Sequence, residues 1–325
     1  MTVVDRRAGR VLTAARAAGQ RHRTAMTIAG SVVAAAVLAY VLAGRRDEFA
    51  TALASASIGV LAAAAALQVV ALLARSEAWH RCIEAAGGTV DRRVLYRASS
   101  MGYVGSLLNA QLGVAARIGA LRASSSVESP GVSTLIAVEF PIIAVEATLA
   151  AIASFTLVVP LGLPWWLPIV FLVVTGALSA GLRHLALRTG RVLWQGLAVL
   201  RTLRGGGRLV GLVLIAVFAQ ILRNWLLLHA VGVDASVLDA TAVLIAMVAL
   251  SQLPVGPLSG ATAAVLILGR DGVAAVAAAG VLTTVTGTMG GLAFAAWAGL
   301  DRLWHGSPLQ GRLRHARLRH RSRVS

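Results

Sequence analysis

The chain has 325 residues, of which 58% are hydrophobic and only 13% are charged, and it carries a formal net charge of +17. A soluble domain is about 45–50% apolar and about 25% charged, so these values exclude a soluble enzyme, a disordered chain and a disulfide-stapled secreted scaffold. Apolar runs of about 20 residues recur along the chain, which predicts an all-α, polytopic helical membrane protein.

The chain begins with a basic segment, residues 1–25, that holds six arginines against one acid. The first apolar run, residues 26–43, follows directly. The basic segment is long and no small-x-small cleavage site closes the run. We therefore expect an uncleaved first span, with the N-terminus in the cytoplasm, rather than a signal peptide.

Further apolar runs have the length of membrane spans, at residues 53–74, 132–159, 165–182, 209–231, 236–253 and 273–299. The loops 75–97 and 183–208 are rich in arginine, whereas the turn 160–164 has no charge and the turn after Val231 offers only aspartates. Arginine-rich loops stay in the cytoplasm. The pattern predicts a multi-pass protein of the inner (cytoplasmic) membrane with both termini cytoplasmic. Its predicted parts are a basic segment 1–25, a transmembrane domain 26–300 and a basic tail 301–325.

Two more apolar segments, 99–116 and 254–269, are short and contain glycine, proline or amide residues. With both termini cytoplasmic the number of crossings is even, so seven clean spans require one of these segments to cross and the other to be re-entrant. We expect about 7–8 spans, with residues 99–116 re-entrant because arginines bracket them. Such a pair of broken segments indicates a transporter's binding site. The alternative is that these glycines and prolines only allow neighbouring helices to pack closely.

Charged residues also lie inside the predicted spans. Glu139 and Glu146 are seven residues apart, which puts them on one face of a helix. Ionised groups at this depth are costly and turn inward toward a partner or water. The two acids either coordinate a headgroup or titrate, or they form salt bridges that hold helices together. Arg223 is the obvious partner, and its planar guanidinium suits a carboxylate or a phosphate.

No motif indicates catalysis, because HExxH, CxxC and P-loop spacings are missing from the sequence and Cys82 is its one cysteine. We therefore expect no catalytic residue, no metal and no cofactor. The basic ends 1–25 and 301–325 are expected to be attracted to anionic lipid. Nucleic-acid binding is not expected, and the oligomeric state stays open.

The stretch from Gly105 to Arg122, with Asn109 and Arg117 inside it, resembles the first signature of the lysylphosphatidylglycerol synthase transmembrane family, a flippase-like family. A second signature, a Pro/Gly-rich break before a short helix, resembles Leu253–Gly260, including Pro257. The resemblance covers roughly residues 26–300. The chain departs from the family pattern at Gly113 and Ala120, where Pro and an acid are common, and by having no Glu after Gly260.

The resemblance implies binding or translocation of a lipid with an anionic or glycosylated headgroup, such as a polyprenyl-linked one. It does not imply lysine transfer, because residues 300–325 are too short for the family's soluble aminoacyl-transferase domain. The candidate substrate-binding residues, from the resemblance and from the buried charges together, are Asn109, Arg117, Arg122, Glu139, Glu146, Arg223, Pro257 and Gly260.

Two other functions remain open. The first is a non-transporting membrane subunit that recruits or regulates an envelope enzyme. The second is an integral-membrane glycosyltransferase of the C-type fold. The second alternative would use Asp47 or Glu48, which follow the first span as the acids of such enzymes do.

Overall fold

The fold is described here from a computed structural model. It covers residues 42–305 except 109, 125–130, 189–196, 198, 200–201, 252–258 and 270–271, together with residues 32, 33, 35, 36, 39 and 40. The predicted basic segment 1–25 and most of the tail 301–325 lie outside these residues, as does most of the first predicted span. All regular structure in the described part of the chain is helical, which confirms the all-α prediction.

The helices, numbered in chain order, are α1 (Arg46–Ser55), α2 (Ile58–Ala85), α3 (Arg92–Leu108), α4 (Ala110–Ser124), α5 (Val132–Ala137), α6 (Glu139–Ala153), α7 (Val158–Leu161), α8 (Trp166–Arg188), α9 (Leu203–Ala230), α10 (Val237–Ser251), α11 (Ser259–Leu268) and α12 (Val273–His305). A 3₁₀ turn joins α6 to α7.

In the part of the chain that the structure describes, five helical stretches are long and apolar enough to cross a membrane, as in a multi-pass helical membrane protein. They are Ile58–Ala85, Val132–Leu161, Trp166–Leu185, Arg204–Ala230 and Val273–Asp301. The predicted span 236–253 corresponds to α10, which has 15 residues. At 1.5 Å per residue it is about 22 Å long, shorter than the roughly 30 Å hydrocarbon core of a bilayer.

The described residues divide into two compact units. The first unit takes its residues from 1–64, 150–172 and 220–286, and the second from 65–149, 173–219 and 287–325. The core of the first unit is aliphatic and includes Leu227, Leu228 and Val276. The core of the second unit surrounds the fully buried Trp79 and includes Leu121.

In the second unit, α3 and α4 pack side by side as an antiparallel hairpin. Their contact depends on glycine. A β-carbon added to Gly102 would lie 2.8 Å from Arg117 Cβ, and one added to Gly113 would lie 2.8 Å from the Gly102 carbonyl oxygen. The glycines of segment 99–116 therefore do not interrupt the helices but allow close packing. Helix α3 ends at Leu108 and α4 begins at Ala110, and Asn109 lies outside the described residues.

In the first unit, the short helices α10 and α11 also pack together. The backbone of α11 then lies directly against α12. A β-carbon added to Gly260 would lie 3.0 Å from the Gly280 carbonyl oxygen, and one added to Gly280 would lie 2.6 Å from the Ala261 amide nitrogen. Pro257 precedes α11 but lies outside the described residues.

The contact between α11 and α12 predicts that Gly280→Ala destabilises the protein, because the atoms it would meet are backbone atoms that cannot rotate away. Overpacking of this kind costs about 1–3 kcal/mol. Gly299→Ala is the matched control on the same helix, because nothing lies within 4 Å of its added β-carbon. Thermal unfolding in detergent should show a lower Tm for Gly280→Ala and an unchanged or higher Tm for Gly299→Ala. Equal midpoints for the two variants would contradict the close approach.

Candidate functional site

The centre of the candidate site is the guanidinium group of Arg117 on α4. Its Nη2 donates to the carboxylate of Glu139, the first residue of α6. The two side chains are 11% and 9% exposed. The guanidinium carbon of Arg117 also lies 4.3 Å from the ring centroid of Trp79 on α2, which adds a cation–π contact. A buried ion pair thus lies where α2, α4 and α6 come together, with its guanidinium against an aromatic face.

Hydrogen-bond donors remain unused beside this ion pair. Arg117 Nε and Trp79 Nε1 are buried and have no hydrogen-bond partner among the described residues. The same holds for the hydroxyl of Ser99, which lies one turn before Gly102 on α3, and Gly102 packs against Arg117. Buried polar groups are nearly always paired. A cation that has an unused N–H donor of its own and a second one on the neighbouring Trp79 has the chemistry that binds a phosphate or a carboxylate.

A second ion pair lies further along the same helices. Arg75 Nη2 donates to Glu146 Oε2 at 3.1 Å, and these side chains are 48% and 30% exposed. Arg75 lies one turn before Trp79 on α2, and Glu146 lies two turns after Glu139 on α6. Glu146 is the fifteenth of the 30 residues in the stretch Val132–Leu161. A charged pair at that depth needs water or a polar headgroup as its neighbour, because acyl chains do not solvate it.

The sequence predicted Arg223 as the partner of the two acids. The structure instead gives each acid a different arginine as its ion-pair partner. Glu139 pairs with Arg117 and Glu146 with Arg75, because α2 and α4 supply arginines within the same unit. Both acids do lie on one helix face, as predicted from their spacing.

Arg75 and Trp79 were missed by the sequence analysis, which assigned residues 75–97 to a cytoplasmic loop. The structure continues α2 to Ala85. A signal for this continuation was available in the charge pattern. Glu77 and Arg81 are spaced i,i+4, which stabilises a helix, and their side chains form an ion pair at 3.2 Å.

Among the described residues, the other predicted ones take no part in these two ion pairs. Arg122 is exposed near the end of α4. Arg223 is buried on α9 in the first unit, next to Asn224. Gly260 serves backbone packing, and Asn109 and Pro257 lie outside the described residues. The acids of the glycosyltransferase alternative, Asp47 and Glu48, are exposed in the first turn of α1.

The hairpin that carries Arg117 is fixed by contacts between α3 and α12. Arg97 Nε donates to Asp301 Oδ2 at 2.8 Å, and Arg97 Nη2 donates to the Asp301 carbonyl oxygen at 2.9 Å. The Tyr103 hydroxyl donates to the carbonyl oxygen of Gly287 at 2.8 Å. These bonds hold α3 along its length, and α3 in turn positions α4 and Arg117.

No family model, curated protein or solved structure matches the chain. Among the described residues, no group of three or more His, Cys, Asp or Glu side chains is arranged to hold a metal ion. Membership of the lysylphosphatidylglycerol synthase transmembrane family therefore stays a prediction, and the function is inferred from the geometry around Arg117.

The unequal burial of the two ion pairs predicts unequal costs of breaking them. Glu139→Gln leaves the Arg117 charge buried without its counter-ion, which costs about 3–5 kcal/mol. Glu146→Gln breaks a half-exposed pair and should cost about 1 kcal/mol or less. Thermal unfolding of the purified variants in detergent measures the difference.

A double variant provides the control for this prediction. Arg117→Met with Glu139→Leu removes both charges, and replacing a buried ion pair by apolar groups is often neutral. We expect the double variant to be more stable than Glu139→Gln alone. A Glu139→Gln variant as stable as Glu146→Gln would show that Arg117 and Glu139 are not a buried pair.

Proposed function

We propose that this multi-pass membrane protein binds a lipid with an anionic, phosphate-bearing headgroup and translocates it across the bilayer. The observation that carries the proposal is the buried guanidinium of Arg117, which lies against Trp79 and next to donors without acceptors. A guanidinium offers five N–H donors in a fixed plane, and it binds phosphate oxygens in pairs.

Glu139 has a defined part in the proposed mechanism. Without lipid, its carboxylate neutralises Arg117, so that no lone charge is buried. A lipid phosphate that reaches Arg117 takes the place of the carboxylate and uses the free donors on Arg117 Nε and Trp79 Nε1. Binding thus exchanges one anion for another as the partner of Arg117, and the displaced carboxylate leaves the occupied site with one net negative charge.

The more exposed pair, Arg75 and Glu146, provides a polar step toward this position. Exposure falls from 48% and 30% at Arg75 and Glu146 to 11% and 9% at Arg117 and Glu139. A headgroup that moves along α2 and α6 would therefore meet a half-exposed ion pair before the buried one. This gradient supports transfer of a polar group through the membrane interior more than a purely structural pair of salt bridges.

The finer predictions from the sequence belong to the same proposal. We place the protein in the cytoplasmic membrane with both termini on the cytoplasmic side, because the arginine-rich loops and ends favour that orientation. Anionic phospholipids and polyprenyl-linked phosphates both carry the group that Arg117 would bind. The resemblance to the flippase-like family supports this class of substrate.

Reconstitution into liposomes with fluorescent phosphatidylglycerol tests the proposal. Arg117→Ala should slow translocation about tenfold or more, because a hydrogen bond to a charged group is worth about 1.5–3 kcal/mol and 1.4 kcal/mol is a factor of ten. Arg122→Ala is the matched control, since this arginine is exposed on the same helix, and it should translocate at the wild-type rate.

A milder variant protects the test from misfolding. Trp79→Phe keeps an aromatic ring under Arg117 but removes the Nε1–H donor, so it should weaken lipid binding while the protein stays folded. Equal rates for wild type, Arg117→Ala and Trp79→Phe would overturn the proposal.

A further inference from the structure

The helices α2 and α9 correspond to each other at a fixed distance along the chain. Both have 28 residues, and adding 145 to the residue numbers of Ile58–Ala85 gives Leu203–Ala230. The helices that follow them, α3 and α10, begin at Arg92 and Val237, which are again 145 residues apart.

Both long helices end in the same backbone motif. Gly87 has a φ of 84° and Gly232 has a φ of 83°. After α2, the amide of Gly88 donates to the Ile83 carbonyl oxygen and that of Gly87 to the Glu84 carbonyl oxygen, both at 3.0 Å. This pair of bonds around a left-handed glycine is a Schellman motif.

The bonds after α9 are the same, shifted by 145 residues. The amide of Val233 donates to the Leu228 carbonyl oxygen and that of Gly232 to the His229 carbonyl oxygen, again at 3.0 Å. The next helix is capped by a side chain in both places. Asp91 Oδ1 accepts from the Arg93 amide, and Ser236 Oγ accepts from the Asp239 amide.

The burial pattern repeats with the same shift, although few residues are identical. Positions that are almost fully buried come in pairs 145 residues apart: Trp79 and Asn224, Cys82 and Leu227, Ile83 and Leu228, Leu95 and Ala240, and Ala98 and Val243. The same faces of the corresponding helices are therefore covered, which coincidence of helix length alone does not produce.

The elements after these helices continue the correspondence. The hairpin α3–α4 is followed by a long helical stretch that begins after Gly131, and the hairpin α10–α11 is followed by α12, which begins after Gly272. Each half of the chain is thus a long helix, two short helices packed together, and a second long helical stretch.

The loops between the first long helix and the hairpin differ in charge. Residues 86–93 contain Arg92 and Arg93 with one acid, and residues 231–239 contain only the acids Asp234 and Asp239. Positive loops lie in the cytoplasm, so corresponding loops of the two halves lie on opposite sides of the membrane. Repeats of opposite orientation are a common architecture of secondary transporters.

From these observations we infer that the chain is an inverted repeat with two re-entrant hairpins. The hairpin α3–α4 enters the membrane from the cytoplasmic side and returns there, and α10–α11 does the same from the opposite side. Complete crossings are then made by α2, the stretch Val132–Leu161, α8, α9 and α12, together with the span that the sequence predicts at residues 26–43. Six crossings keep both termini cytoplasmic without requiring the short α10 to span the bilayer.

Corresponding positions of the two halves make different contacts. Glu139 is the eighth residue of its stretch, counted from Val132, and Gly280 is the eighth residue of α12. Glu139 pairs with Arg117 of α4, while Gly280 packs against Ala261 of α11. One half thus holds a buried charge pair between its hairpin and its second long helical stretch, and the other half has a backbone contact between the same two elements.

Single-cysteine labelling tests the inferred topology. In a Cys82→Ala background, four variants each receive one cysteine: Thr89→Cys and Ser124→Cys flank the first hairpin, and Asp234→Cys and Val273→Cys flank the second. Thr89 and Asp234 are both exposed and are 145 residues apart, so they form a matched pair. Cells that express each variant are treated with a membrane-impermeant maleimide before and after permeabilisation of the cytoplasmic membrane.

We expect Asp234→Cys and Val273→Cys to be labelled in intact cells, and Thr89→Cys and Ser124→Cys only after permeabilisation. Labelling of Asp234→Cys and Val273→Cys from different sides would show that the second hairpin crosses the membrane and would overturn the inference. Labelling of Thr89→Cys and Asp234→Cys from the same side would remove the inversion. The result needs no lipid substrate, so it stands or falls separately from the proposed function.

Discussion

The ion pair between Arg117 and Glu139 is the interaction that the rest of the second unit supports. Two buried charges are tolerated only where their geometry is fixed. The glycines of α3 and α4 bring Arg117 close enough, Trp79 covers the guanidinium, and the Arg97–Asp301 pair holds α3 in place.

The fold class follows from composition and apolar run length, because only helices satisfy their backbone within lipid over such lengths. Hydropathy also located the two broken segments. It did not distinguish a short helix from a span at residues 236–253, where α10 covers only the 15 residues Val237–Ser251. Glycine was ambiguous as well: at Gly102 and Gly113 it allows helix contact, whereas the sequence pattern had suggested interruption.

The candidate site was only partly predictable for a related reason. The spacing of Glu139 and Glu146 gave their common face, but a charge partner depends on which helices are neighbours, and one sequence does not contain that information. Arg223 was the most deeply placed arginine and therefore the natural choice. Arg75 was overlooked because the apolar run ends at residue 74, where charged residues begin. The helix itself continues ten residues beyond Arg75, to Ala85.

The pairing of charges within the site has an electrical consequence. Each carboxylate is matched by one guanidinium, so the empty site has no net charge, whereas a site that holds a singly charged headgroup carries one negative charge. A membrane potential acts on the loaded form alone, with about 2.3 kcal/mol per elementary charge for each 100 mV crossed. Transport of such a lipid by this protein would therefore be electrogenic, with the potential, negative on the cytoplasmic side, favouring movement of the anion outward.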